Sequence, residues 1–116
     1  MLLWALGDPD RLRDEARAAI VDPDGDVLAS AASTWEVAIK GGSGKLRIPD
    51  DFADHVTASF LELPVTIRHS IEAGALPSHH GDPFDRMLIA QARVEGLTIV
   101  TRDKAFAPYG VDVLAA

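Results

Sequence analysis

Apolar positions along the chain follow two rhythms: short unbroken runs, and longer stretches spaced by three or four. The runs VLAS at 27–30 and LTIVT at 97–101 are too short for helices and are bounded by turn residues, so they read as strands. LTIVT is apolar on both faces, as expected in the middle of a parallel sheet. LELPV at 61–65 and DVL at 112–114 read as further short extended pieces. The spaced stretches predict helices over Arg11–Val21 (Leu12, Ala16, Ala19 and Ile20 on one side), Thr34–Lys40, Asp50–Phe60 with Asp50 or Asp51 as cap, Thr66–Gly74, and Asp82–Glu95. The last opens on Asp-Pro and closes on Gly96, a strong start and stop. DPDGD at 22–26 is a turn, GGSG at 41–44 halts the second helix, KLRIP at 45–49 is an extended link and LPSHHG at 76–81 is a loop.

Strands alternating with helices predict an α/β fold with a central parallel sheet and crossover helices. The start breaks this order. MLLWAL runs straight into Asp8-Pro9-Asp10, a helix-start signal, and is too short to supply both a strand and the connection to the helix. The first element expected is therefore a helix, where domains of this kind lead with a strand.

A chain of 116 residues with 47% hydrophobic and 25% charged positions suffices for one domain with a real core. It has no cysteine, which excludes disulfides and thiolate sites and fits a reducing cytoplasm. Met1–Leu6 is too short to span a membrane and lacks the flank and cleavage site of a signal peptide, so a cytoplasmic protein is expected. Eleven basic residues stand against 18 acidic ones, a net charge of −7, which excludes a broad phosphate-neutralising surface. A nucleic-acid substrate would need a bridging metal ion or a basic partner.

Three acids fall where strands end or helices begin. Glu36 lies early in the helix after VLAS, Asp85 in the first turn of the long helix, and Asp103 just past LTIVT. Ligands of open parallel sheets bind beyond the carboxyl ends of the strands, where Glu36 and Asp103 are expected to sit. Carboxylates gathered there repel unless a cation joins them, and an oxygen-only set suits Mg²⁺ or Mn²⁺. Each acid also has an ordinary reading: Glu36 and Asp85 as first-turn acids favoured by the helix dipole, and Asp103 as a cap for KAFAPY. Trp35 reads as core, and Thr101 and Ser33 as structural unless the site forms, when Thr101 could orient water beside Asp103.

Other motifs fail. DPDGD has Val27 and Ser33 where a calcium loop needs Gly and Glu. GSGKL has Ile39 and Leu46 where a phosphate loop needs Gly and Ser or Thr. Gly41–Lys45 is not a nucleophile elbow, because Lys45 stands where the second Gly belongs. His79-His80 reads as an exposed loop pair.

DPFDRMLIAQARVEGLTIVTRDKAFAPYGV resembles PIN-domain proteins of the VapC toxin type. LLWALGDPDRL, LASAASTWEVAIKGGSGKLRIP, LPVTIRHS and LPSHHGDPFDR agree in order and spacing, so the resemblance spans essentially the whole chain. It implies a single PIN domain over 1–116 with a three-layer α/β fold, and a Mg²⁺- or Mn²⁺-dependent endoribonuclease that cleaves RNA with metal-activated water. It further implies a homodimer silenced by a cognate antitoxin. Carried over by residue, Glu36 matches the acid of S-x-W-E, Asp85 the second acid of D-P-F-D and Asp103 the acid of T-R-D, all as metal ligands or near-ligands. Thr101 and Arg86 match accessory positions, and Asp82 matches a structural helix start.

The chain departs from the family at its beginning. The family opens with a middle strand and an Asp, in a pattern like L-L-D-T-H, just before the L-L-W found here at 2–4. Strand and Asp are expected to be missing, and neither Asp8 nor Asp10 matches the absent ligand. A late start, with the domain N-terminally incomplete, is the expectation, because everything after Leu2 keeps the pattern. Two rivals stand beside the ribonuclease: a non-catalytic module that binds the antitoxin, and a nuclease acting on DNA through the same metal site.

Overall fold

The computed structural model describes residues 1–4, 27–45, 47–77, 81–101 and 104–115. Its strands are β1 (Leu2–Trp4), β2 (Val27–Ser30), β3 (Leu61–Leu63), β4 (Thr98–Thr101) and β5 (Val113–Ala115). Its helices are α1 (Ala31–Gly42), α2 (Phe52–Ser59), α3 (Ile67–Ala75) and α4 (Pro83–Glu95), with a 3₁₀ turn over Lys104–Tyr109. The helix predicted over Arg11–Val21 and the turn at 22–26 lie outside the described residues.

All pairings are parallel, in the order β3-β2-β1-β4-β5. The fold class is the one expected: a central parallel sheet flanked by helices. The start requires a correction. The sheet does not lack its middle strand: Leu2–Trp4 fills that slot, with Leu3 opposite Leu28 on one side and Ile99 on the other. Three residues suffice because both neighbours hydrogen-bond to them, a non-local pairing that the local pattern does not signal.

The pleat sends alternate residues to opposite faces. Leu3, Leu28, Leu63 and Ile99 point to one face, where Leu88 and Ile89 of α4 and Phe106 and Tyr109 of the 3₁₀ turn complete the main core. Trp4, Val27 and Val100 point to the other, packed by Leu2, Phe60 and Leu114. Trp4 stacks on Phe60 at the end of α2, with ring centroids 4.6 Å apart and planes 22° from parallel.

Helix ends follow local chemistry. Asp82 caps α4, accepting from the amides of Phe84 (2.8 Å) and Asp85 (3.1 Å), and Gly96 ends it in the left-handed region at φ 67°. Thr66 caps α3 in a reciprocal box with His69. Asp51 stands at the N-cap of α2, but its side chain makes no capping bond; its carboxylate lies 2.9 Å from His55. Two boundaries differ from expectation. α1 starts at Ala31 rather than Thr34, because the Ser30 hydroxyl accepts from the Ala32 amide and opens the helix earlier. It runs on through Gly41 to Gly42, and Ile48 packs over the bare Gly41 Cα, where a Cβ would clash.

Candidate functional site

The chain lays β1, β2 and β3 outward in one direction and then returns to place β4 and β5 on the other side of β1. The direction of winding therefore switches between β1 and β4. The crevice beyond their carboxyl ends is where such sheets bind ligands. Trp4 ends β1 there and Thr101, 7% exposed, ends β4. α4 joins β4 through Gly96 and Leu97, so it runs antiparallel to the strand and brings its first turn, with Asp85, to the same edge. α1 leaves that edge directly from Ser30.

Two side-chain contacts between the start of α1 and α4 bear on the site. The Ser30 hydroxyl donates to Gln91 Oε1 at 2.6 Å, and the rings of Trp35 and Phe84 meet edge to face at 5.2 Å and 72°. As α1 advances from 30 to 35, its partner on α4 moves back from 91 to 84, so the helices run antiparallel where they touch. Each acid follows one ring of the outer contact: Glu36 after Trp35, and Asp85 after Phe84. Trp35, expected in the core, is instead 63% exposed. It lies at the surface, where its ring meets that of Phe84 in the first turn of α4.

The earlier start of α1 also removes the ordinary reading of Glu36. It is not a first-turn acid, so the helix dipole does not account for it. Glu36 holds a cation, the Lys40 ammonium at 3.4 Å, one turn on and half-exposed. Asp85 is half-buried in the first turn of α4 and makes further polar contacts. Asp103 lies outside the described residues, as do His79 and His80. Among the described residues no three carboxylate or imidazole groups come together as a metal cage. Glu36 and Asp85 supply oxygen donors that suit a hard divalent cation.

Arg86 reaches from α4 to the end of α3. Its guanidinium donates to the carbonyls of Ala73 (3.0 Å), Leu76 (2.9 Å) and Pro77 (2.9 Å), satisfying the end of α3 and the loop after it. Three residues had no place in the sequence reading: Ser30, His69 and Gln91, all fully buried. Gln91 Nε2 donates to the Pro64 carbonyl at 3.3 Å and lies 3.4 Å from His69 Nδ1. Because Nδ1 of His69 accepts the Thr66 amide at 3.1 Å, its Nε2 carries the proton and donates to Glu95 at 2.9 Å. Their signal was available. Gln91 stands seven residues after Phe84, on the face that helical spacing turns inward, and His69 follows Thr66 at capping-box spacing.

A parallel α/β domain of this kind offers its ligand site at the switch-point edge. The PIN domain family model matches residues 1–111, and the chain belongs to the PIN domain family. Solved structures share the fold. VapBC2 from Rickettsia felis bound to a promoter DNA fragment aligns over 99% of this chain and 98% of the other, with TM-score 0.71 and 14% identity. FitAB bound to the IR36 DNA fragment aligns over 99% and 94%, with TM-score 0.65 and 16% identity. FitAcB from Neisseria gonorrhoeae aligns over 98% and 96%, with TM-score 0.59 and 16% identity. No curated protein sequence matches. Among the described residues no helix is long and apolar enough to cross a membrane.

Proposed function

We propose that the protein is a divalent-metal-dependent endoribonuclease, the VapC-type toxin of a toxin–antitoxin pair, acting in the cytoplasm. The observation that carries the proposal is the Trp35–Phe84 contact, which sets the turn bearing Glu36 against the turn bearing Asp85 at the carboxyl edge of the sheet. Glu36, Asp85 and Asp103 would hold Mg²⁺ or Mn²⁺. The bound ion supplies charge neutralisation at a phosphoryl oxygen and a nucleophilic water at neutral pH. Asp85 and Glu36 would present donor oxygens to the ion, and Thr101, buried at the end of β4, would help orient the water.

The antitoxin partner is supported by charge and shape. A chain of net charge −7 attracts a basic segment. On the second face a hollow of about 260 Å³, lined by Ala29, Ala38, Val56, Phe60 and the acid Glu62, suits a basic segment carrying one apolar side chain. The homodimer is supported by α3. Ile67 and Ile71, one turn apart, are 83% and 70% exposed, and Gly74 and Ala75 continue their face with open space around Gly74. A two-fold antiparallel pairing of α3 sets isoleucines of one copy over the small residues of the other, between rims carrying both Arg68 and Glu72. Replacing Ile71 with Lys is expected to convert a dimer to monomer in sedimentation velocity at micromolar protein; an unchanged dimer removes α3 from the interface.

A second reading draws on β1, whose residues include no acid and whose carboxyl end is the indole of Trp4. It makes the chain a PIN module that binds the antitoxin without cleaving. The deciding experiment incubates folded protein with single-stranded RNA, and separately with single-stranded DNA, in Mn²⁺ and in EDTA. Cleavage of RNA that EDTA abolishes is the expected result. Cleavage of DNA in its place selects the DNA nuclease, and no cleavage of either selects the binding module.

A further inference from the structure

We infer that Gln91 is a positioning residue that locks the helix carrying Glu36 to the helix carrying Asp85; this rests on the metal-site reading above. The starting point is an amide where helical spacing calls for an apolar side chain. Gln91 is 0% exposed and lies between Ala90 and Ala92, both in the core of α4. Its carbonyl takes the Ser30 hydroxyl proton at 2.6 Å while its amide donates to Pro64. Ser30 is the last residue of β2 and the N-cap of α1, and its oxygen accepts the Ala32 amide at 3.0 Å. One continuous hydrogen-bonded path thus runs from the middle of α4 into the first turn of α1.

The Trp35–Phe84 ring contact is the outer of two tethers and Ser30–Gln91 the inner. Phe84 and Gln91 are two helical turns apart on one face, about 10 Å along the axis, and Ser30 and Trp35 are about 8 Å apart along theirs. Ring contacts tolerate sliding and rotation, whereas a short hydrogen bond between two buried groups fixes direction. Without the inner bond the start of α1 is held to α4 with less directional control and can rock about the ring contact, which would alter the relative setting of the turns bearing Glu36 and Asp85. A buried amide adds little net stability over an apolar residue of its size. Its value lies in holding α1 in one rotational setting, which is what paired metal ligands require.

The test measures Mn²⁺ affinity by electron paramagnetic resonance, with folding followed by circular dichroism. Gln91→Met and Ser30→Ala are each expected to weaken Mn²⁺ binding by about tenfold or more. The double variant is expected to lose less than the product of the two single losses, because the shared bond is removed only once, while the Ala32 cap and the Pro64 bond belong to one residue each. Ser30→Thr, which keeps a hydroxyl, retains affinity, and so does Ile89→Val, which loosens the same helix without touching the bond. A folded Gln91→Met protein with wild-type affinity overturns the inference. Should Gln91→Met fail to fold, equal affinities for Ser30→Ala and Ser30→Thr overturn it as well. A wild-type chain that takes up no Mn²⁺ removes the metal-site reading and this inference with it, whereas wild type and variants binding alike removes this inference alone.

Discussion

Asp85→Asn is expected to abolish Mn²⁺-dependent cleavage of RNA while leaving the protein folded. The substitution keeps the shape of the side chain and removes its charge. At the structural level Asp85 is a first-turn acid of α4, and loss of that role costs about 0.3–1 kcal/mol. The capping of α4 stays with Asp82, whose carboxylate accepts both the Phe84 and Asp85 amides, so the helix start survives. At the chemical level a neutral amide is a poor partner for a hard divalent ion. Even partners one step removed from a metal cost 10–100-fold when replaced, so a direct ligand is expected to cost at least about 100-fold in cleavage rate. The pair of measurements is a cleavage time course and a urea melt. A large loss of activity with a small shift in the melt supports the site, and cleavage at the wild-type rate removes Asp85 from it.

Leu3→Ala is expected to destabilise the fold by about 2–5 kcal/mol. Leu3 is 0% exposed in the middle strand, opposite Leu28 and Ile99, in the same apolar cluster as Leu88 and Ile89. Truncating it leaves a cavity between sheet and helices that the parallel strands cannot collapse to fill. Set against a domain stability of about 5–15 kcal/mol, this is a large fraction of the whole. Urea unfolding is expected to show a lower midpoint with an unchanged slope. A loss below about 0.5 kcal/mol is the behaviour of a surface position and would place Leu3 outside the core.

How much of this was legible depended on whether the determining contacts were local. β2 and β4 were readable because VLAS and LTIVT are apolar runs buried along nearly their whole length, and α4 because Asp82-Pro83 and Gly96 mark its ends by their own chemistry. The sequence predicts the start of α1 three residues late, because Ser30-Ala31-Ala32-Ser33 carries little periodic signal and the cap depends on a hydroxyl whose direction the sequence does not give. β1 was misread because its pairing comes from residues about a hundred positions away, and three apolar residues look like any other three. Trp35 was placed inside on hydrophobicity alone; its neighbour on α4 is local in space but not in sequence. At the candidate site, the place of Glu36 and Asp85 relative to strand ends and helix starts is what makes them candidates. Ser30 and Gln91 were passed over because a single polar residue in an apolar stretch reads as noise until its partner is visible.

The position of β1 also bears on the order in which this protein can assemble on the ribosome. Its partner β2 is only some twenty residues downstream, but its other partner, β4, follows nearly a hundred residues after it. Until β4 has emerged, the growing polypeptide presents one open, unpaired side of Leu2–Trp4, together with apolar residues awaiting α4. Closure of the sheet is therefore a late, long-range event that waits for β4 to emerge, the kind of topology that folds slowly and relies on protection in the meantime.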